Sequence, residues 1–143
     1  MAGERLMKLT VESEVVDLAV VFSARMVDDG ILVQVSGSLG KHRVWLAEDA
    51  ALSVLAGLEA AQTLPVSRPS PSEVSVLDGI AVSVVTRGVD GQPSTLAALN
   101  PRMSSVPRLC ACCVALLRPV AAAASPDLAA FTRDVAQLLS DTA

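Results

Sequence analysis

Between Glu14 and Met26 apolar and polar side chains alternate. Val16, Leu18, Val20, Phe22, Ala24 and Met26 fall on one face, Asp17, Ser23 and Arg25 on the other. A period of two over this length predicts a long strand with one face buried. Val27-Asp28-Asp29-Gly30 follows, and Asp29-Gly30 reads as a two-residue hairpin turn because both residues tolerate positive φ. Residues 31–37 (ILVQVSG) form the expected return strand. Residues 43–48 (RVWLAE) predict a third strand, after a corner from Gly37 to Lys41. The first third of the chain is therefore expected to be an antiparallel meander. The preceding stretch, residues 3–13 (GERLMKLTVES), supports a helix poorly and is assigned no element.

The spacing then changes. Across residues 49–62, Leu52, Leu55 and Leu58 recur at i, i+3 and i+6, with Asp49 placed to cap a helix. Residues 64–73 hold three prolines and three serines, which predicts a surface loop too short to separate two domains. A β-branched strand is expected at 79–88. A short helix is expected at 89–100, with Pro93 near its first turn and Pro101 ending it. Residues 108–119 (RLCACCVALLRP) read as a buried strand stopped by Pro119. Residues 125–141 carry the clearest helix pattern: Ser125 as cap, Pro126 in the first turn, Asp127 against the dipole, and a stripe of Leu128, Phe131, Val135, Leu138 and Leu139. The expected class is α+β: a mainly antiparallel sheet of about six strands packed with two to three helices, one domain over residues 1–143.

Composition narrows the function classes. Hydrophobic residues make up 52 % of the 143 residues and charged residues 18 %, a core-rich globular balance. Aromatic residues are limited to Phe22, Trp45 and Phe131, so Val, Leu and Ala must build the core. A net charge of −4 argues against nucleic-acid binding, which needs clustered Lys and Arg for counterion release. No apolar run reaches the roughly 20 residues of a membrane span, and no apolar segment of signal-peptide type follows the charged N-terminus. A soluble, cytoplasmic protein is expected. The high apolar content predicts a dimer, homomeric in isolation and open to a heteromeric form in the cell.

Candidate chemistry is sparse. Cys110, Cys112 and Cys113 cluster in an apolar run at a spacing that suits neither a disulfide framework nor a zinc site, and they are expected to be buried and inert. No metal or cofactor is expected. The loop Gly37-Ser38-Leu39-Gly40-Lys41-His42 is two residues short of a phosphate-binding loop, lacks the hydroxyl that would meet magnesium, and leads into a strand. It also misses the G-x-S-x-G elbow by one position, since Ser36 stands where the first glycine belongs. With one histidine in the chain, catalysis is not expected. What remains is a sharp corner from which Gly40, Lys41, His42 and Arg43 project as a small basic knuckle suited to an acidic protein surface.

The stretch VVFSARMVDDGILVQVSGSLGKHRVWL, residues 20–46, resembles the proteasome assembly chaperone 3 family. That family has a long hairpin ending in an ILV-type strand, a Ser/Thr-containing turn with Gly-Lys, and a further strand. Residues 82–99 resemble its strand, turn and helix. Residues 108–119 with 128–139 resemble its final strand and C-terminal helix. The related chaperone 4 family is similar in general architecture. The resemblance implies a non-catalytic chaperone that pairs with itself or a related subunit and holds α-subunits while the proteasome core ring assembles. The rival class is a homodimeric adaptor of the roadblock type, whose usual order starts with a helix.

Overall fold

A computed structural model of the chain describes residues 5–13, 18–64, 80–87, 93–99 and 106–140. Six strands form one antiparallel sheet: β1 (Arg5–Ser13), β2 (Leu18–Val27), β3 (Gly30–Gly37), β4 (His42–Leu46), β5 (Ala81–Arg87) and β6 (Pro93–Leu99), in the spatial order β4-β3-β2-β1-β5-β6. Three helices complete the fold: α1 (Glu48–Ala61), α2 (Pro107–Ala123) and α3 (Pro126–Ser140). The expected α+β class is what the chain adopts, with the meander β2-β3-β4 in register from Val20↔Gly37 to Ile31↔Leu46.

The alternation that predicted β2 is realised as burial. Val20, Phe22 and Ala24 are fully buried, whereas Val21, Ser23 and Arg25 on the other face are half-buried. The same parity runs across the sheet. Met7, Leu9 and Val11 of β1, Ile31, Val33 and Val35 of β3, Val44 and Leu46 of β4, and Val82 and Val84 of β5 all point to one side. Those residues share a single core with Val54 of α1, Leu116 and Leu117 of α2, and Leu128 and Leu139 of α3. The helices therefore cover one face of the sheet, and among the described residues no helix packs on the other.

Several expectations are corrected. Residues 5–13 form β1, which lies between β2 and β5 near the middle of the sheet. The hairpin turn is Asp28-Asp29, one residue earlier than Asp29-Gly30. Val27 pairs with Gly30, and Asp28 takes the positive φ of 54°. Gly30 is needed for a different reason: a Cβ there would overlap the Trp45 ring, which lies over it. In α1 the inward face is Ala51, Val54, Leu58 and Ala61, not the expected Leu52, Leu55 and Leu58. Leu52 is 56 % exposed. The small-residue face wins because it admits close approach: a Cβ on Gly57 would lie 2.7 Å from the Cβ of Ala115 in α2. Asp49 sits in the first turn beside Glu48, and no side chain caps the helix.

The two largest departures are exchanges of element type. Residues 93–99, expected in a short helix, are strand β6, paired with β5 along their whole length. Residues 108–119, expected as a buried strand, lie inside the 17-residue helix α2 with Pro107 at its start and Pro119 within it. Eight of its residues are buried, because α2 packs against both α1 and α3 while its inner side meets the sheet. A helix buried on most sides reads as a continuous apolar run, and periodicity alone cannot tell it from a buried strand. α3 follows expectation. Ser125 precedes it and its carbonyl accepts the Ala129 N–H at 2.8 Å. Leu128, Val135 and Leu139 are buried, Phe131 is half-buried, and the Leu138 side chain lies outside the described residues. Thr132, buried beside them, donates its hydroxyl to the Leu128 carbonyl at 2.7 Å. The proline-rich stretch 64–73 lies outside the described residues from 65 onward, as does the expected stop at Pro101.

Candidate partner-docking face

The β3–β4 corner is held by two glycines and a serine. Gly37 has a φ of +114°, and a side chain there would run into the Ala19 carbonyl. Gly40 has a φ of +82° in open space, so it is required for conformation and not for room. Ser38 continues the β2–β3 ladder by one step. Its N–H donates to the Ala19 carbonyl at 2.8 Å, and its Oγ accepts the Ala19 N–H at 2.8 Å. Gly40 N–H closes the turn onto the Gly37 carbonyl at 2.9 Å.

Of the four expected contact residues, Gly40, Lys41 and Arg43 are exposed. His42 is half-buried, with Nε2 2.8 Å from the Leu39 carbonyl to which it donates in the Nε2–H tautomer. It braces the turn while its neighbours project. Ser38 and His42 are thus both engaged with backbone groups of the corner and of the adjoining strand.

The register places these cations in a wider setting. Arg43 stands opposite Gln34, Gln34 opposite Ser23, and Ser23 opposite Lys8, so one transverse row of the open face runs from Arg43 to Lys8. In the next row Trp45 stands opposite Leu32, and Leu32 opposite Arg25. Trp45 is 50 % exposed, one of two large apolar side chains so open to solvent among the described residues. Arg25 is half-buried, and its Nε is buried with no hydrogen-bond partner among the described residues. Glu12, paired with Ala19 and Ala81 at the far end of β1, is the carboxylate that shares this face among the described strand residues. The result is a half-open sheet surface with Lys8, Arg25 and Arg43 along it, an indole beside them and Lys41 exposed at the corner that precedes β4.

Sequence reasoning identified the knuckle but not Lys8, Arg25 or Trp45. Their signal was parity: each occupies the position opposite to the buried residues of its strand. Using it requires the strand register, and for Lys8 the existence of β1.

Elsewhere the described residues offer little chemistry. A groove of about 610 Å³ lies between α1 and α2, floored by Gly57, Ala111 and Ala115. A second, of about 460 Å³, lies between α2 and α3. Arg118 and Ser140 line both, and neither wall includes a carboxylate, a histidine or a thiol. Cys110, Cys112 and Cys113 are free and buried in α2. Burial pushes the Cys110 thiol up to about 12 and raises Cys112 against the opposing pull of Arg108. Burial, with its two thiol neighbours, also holds Cys113 well above its ordinary value. Thiols so raised are poor nucleophiles and poor metal ligands. Among the described residues no group of three or more His, Cys, Asp or Glu is placed to hold a metal ion, and no helix is long and apolar enough to cross a membrane. Compared with protein-family models, curated proteins and solved structures, the chain matches none.

Proposed function

We propose that this protein is a non-catalytic docking module that holds an acidic surface of a partner protein against the open, cationic face of its sheet, and that its partners are α-subunits of the proteasome core ring. The observation that carries the docking reading is the strand register, which sets Lys8, Arg25 and Arg43 on one face of the sheet beside the half-exposed Trp45. With Lys41 at the nearby corner, these cations give positive potential to one region of an otherwise acidic chain, which favours encounter with an acidic partner. Trp45 supplies the apolar contact typical of an interface anchor.

The choice of partner rests on the resemblance at residues 31–46, where strand, Gly-Lys turn and strand follow in the order the chaperone family implies. Residues 93–99 and 108–119 lend it no support, since their element types differ from those the resemblance implies.

The test is a charge reversal, Lys41→Glu with Arg43→Glu. Both side chains are exposed, so far-ultraviolet circular dichroism should be unchanged. Affinity purification from cells should recover proteasome α-subunits with the natural chain and lose them with the variant. With a purified partner, affinity should fall about tenfold or more, and the residual binding should respond less to salt. Recovery of a different complex that still depends on Lys41 and Arg43 keeps the docking face and overturns the proteasome assignment. Binding indifferent to the reversal overturns both.

A further inference from the structure

The sheet has two edges, β4 and β6, and they differ in kind. β4 is five residues long, begins at His42, contains Arg43 and Trp45, and follows Lys41. Cations and bulky rings on an edge oppose pairing with another copy of itself. β6 is seven residues long, Pro-Ser-Thr-Leu-Ala-Ala-Leu, with no charge. Its inner side is fully paired with β5, from Arg87↔Pro93 to Ala81↔Leu99. On its outer side no strand is paired among the described residues, so its outward N–H and C=O groups form a template for one more strand. Pro93, a common means of blunting an edge, occupies the first position and removes only the terminal donor.

We propose that β6 is a self-pairing edge: two copies of this chain join β6 to β6, antiparallel and centred on Leu96, into one continuous sheet of double width. The occupant is a second copy because the strand is complementary to itself. In this register Thr95 faces the partner's Ala97. The strand carries no charge, so no like charges meet. Leu96, partly buried against the core, meets its own copy across the two-fold axis and extends the apolar layer. Because the axis is perpendicular to the sheet, both helix layers lie on one side and both cationic faces on the other. The dimer therefore presents two docking faces side by side, which raises avidity for a ring of repeated subunits without a new contact. A single seven-residue ladder is a small interface, so the dimer is a concentration-dependent one. The pairing is independent of which partner the cationic face holds.

Thr95 and Ala97 are both exposed and two residues apart, hence on the same face, so substitutions there need not disturb the core. Sedimentation velocity over a wide concentration series should show the full chain passing from monomer to dimer. Thr95→Lys with Ala97→Lys sets lysine against lysine twice and should raise the dimer dissociation constant at least about tenfold. Thr95→Lys with Ala97→Glu sets each lysine against the partner's glutamate and should restore the dimer. Amide exchange in β6 should slow as concentration of the unaltered chain rises, a readout that needs no variant to fold. A strict monomer, with β6 protection independent of concentration, overturns the proposal, and means that another part of the chain or a different partner covers the edge. So does a dimer that the lysine pair leaves intact. A lysine–glutamate variant that stays folded but monomeric overturns the register about Leu96.

Discussion

Gly57→Ala sets two magnitudes of opposite sign against each other. Gly57 lies within α1, where alanine is favoured over glycine by about 1 kcal/mol of helix propensity. On that ground alone the substitution stabilises. The added Cβ, however, would stand 2.7 Å from the Ala115 Cβ and 3.5 Å from its Cα. Carbon atoms in favourable contact sit about 3.5–4.0 Å apart, so α1 and α2 must separate by roughly 1 Å or shear. Overpacking of this kind costs about 1–3 kcal/mol. The collision is with the first atom of a side chain that has no rotamer to change, so the steric cost wins and the net loss should be up to about 2 kcal/mol. Ala115→Gly alone should also destabilise, by about 1 kcal/mol of lost propensity plus the contact it empties. The double variant moves the methyl from one helix to the other and should return close to the natural stability. The coupling is expected at about 1–3 kcal/mol, well beyond the error of additivity. Urea unfolding followed by circular dichroism and by Trp45 emission measures all four corners of the cycle. Trp45 is the chain's one tryptophan and lies on the opposite side of the sheet from this contact, so the probe is not itself perturbed. If Gly57→Ala is more stable by the full propensity gain, and the two substitutions are additive, α1 and α2 are not in close contact at this point.

Two further outcomes follow from single groups. The buried thiols make stability fall at alkaline pH. A cysteine with an ordinary value of 9.0 in the unfolded chain and about 12 at Cys110 stays protonated in the fold while the unfolded chain loses its proton. Stability is therefore fully present below pH 9 and is lost progressively up to about pH 12. Urea midpoints should decline over that window, and less steeply in Cys110→Ala; a flat profile would contradict the burial of these thiols. Arg108 at the start of α2 donates from Nε to the Leu64 carbonyl at 2.9 Å and from Nη2 to the Gln62 carbonyl at 3.1 Å. It thereby ties down the chain leaving α1, and Arg108→Ala should cost about 1–2 kcal/mol, whereas a loss near zero would show that water replaces both bonds.

The knuckle was legible because its signals are local. Two glycines end a strand, a basic run follows, and a turn between antiparallel strands is exposed by geometry. The rest of the cationic face was not legible, because Lys8, Arg25 and Arg43 are neighbours only through three successive strand pairings. Within each strand they are merely the polar half of an alternation. That Arg25 Nε lies buried without a partner is a fact of packing around it, which no spacing along the chain reveals.

The sequence by itself determined the meander β2-β3-β4, the existence of α1, the strand β5 and the helix α3. In these elements one face is buried and one is wet, so the period of the side chains is written into the order of apolar and polar residues. Tertiary structure decided the remainder. Residues 107–123 are apolar on most sides and carry no usable period. They are a helix because their place between α1, α3 and the sheet needs a cylinder. Residues 93–99 are small and uncharged, and β5 offers them a ladder that outweighs the start of a helix at Pro93. In α1 two faces competed, and the contact of Gly57 with Ala115 turned the smaller one inward and left Leu52 in solvent. Local periodicity records which residues meet water only where an element has a wet side. Where neighbours cover an element, or where the fit between two surfaces selects its face, the deciding energy belongs to contacts distant in sequence, and those exist only once the chain has folded.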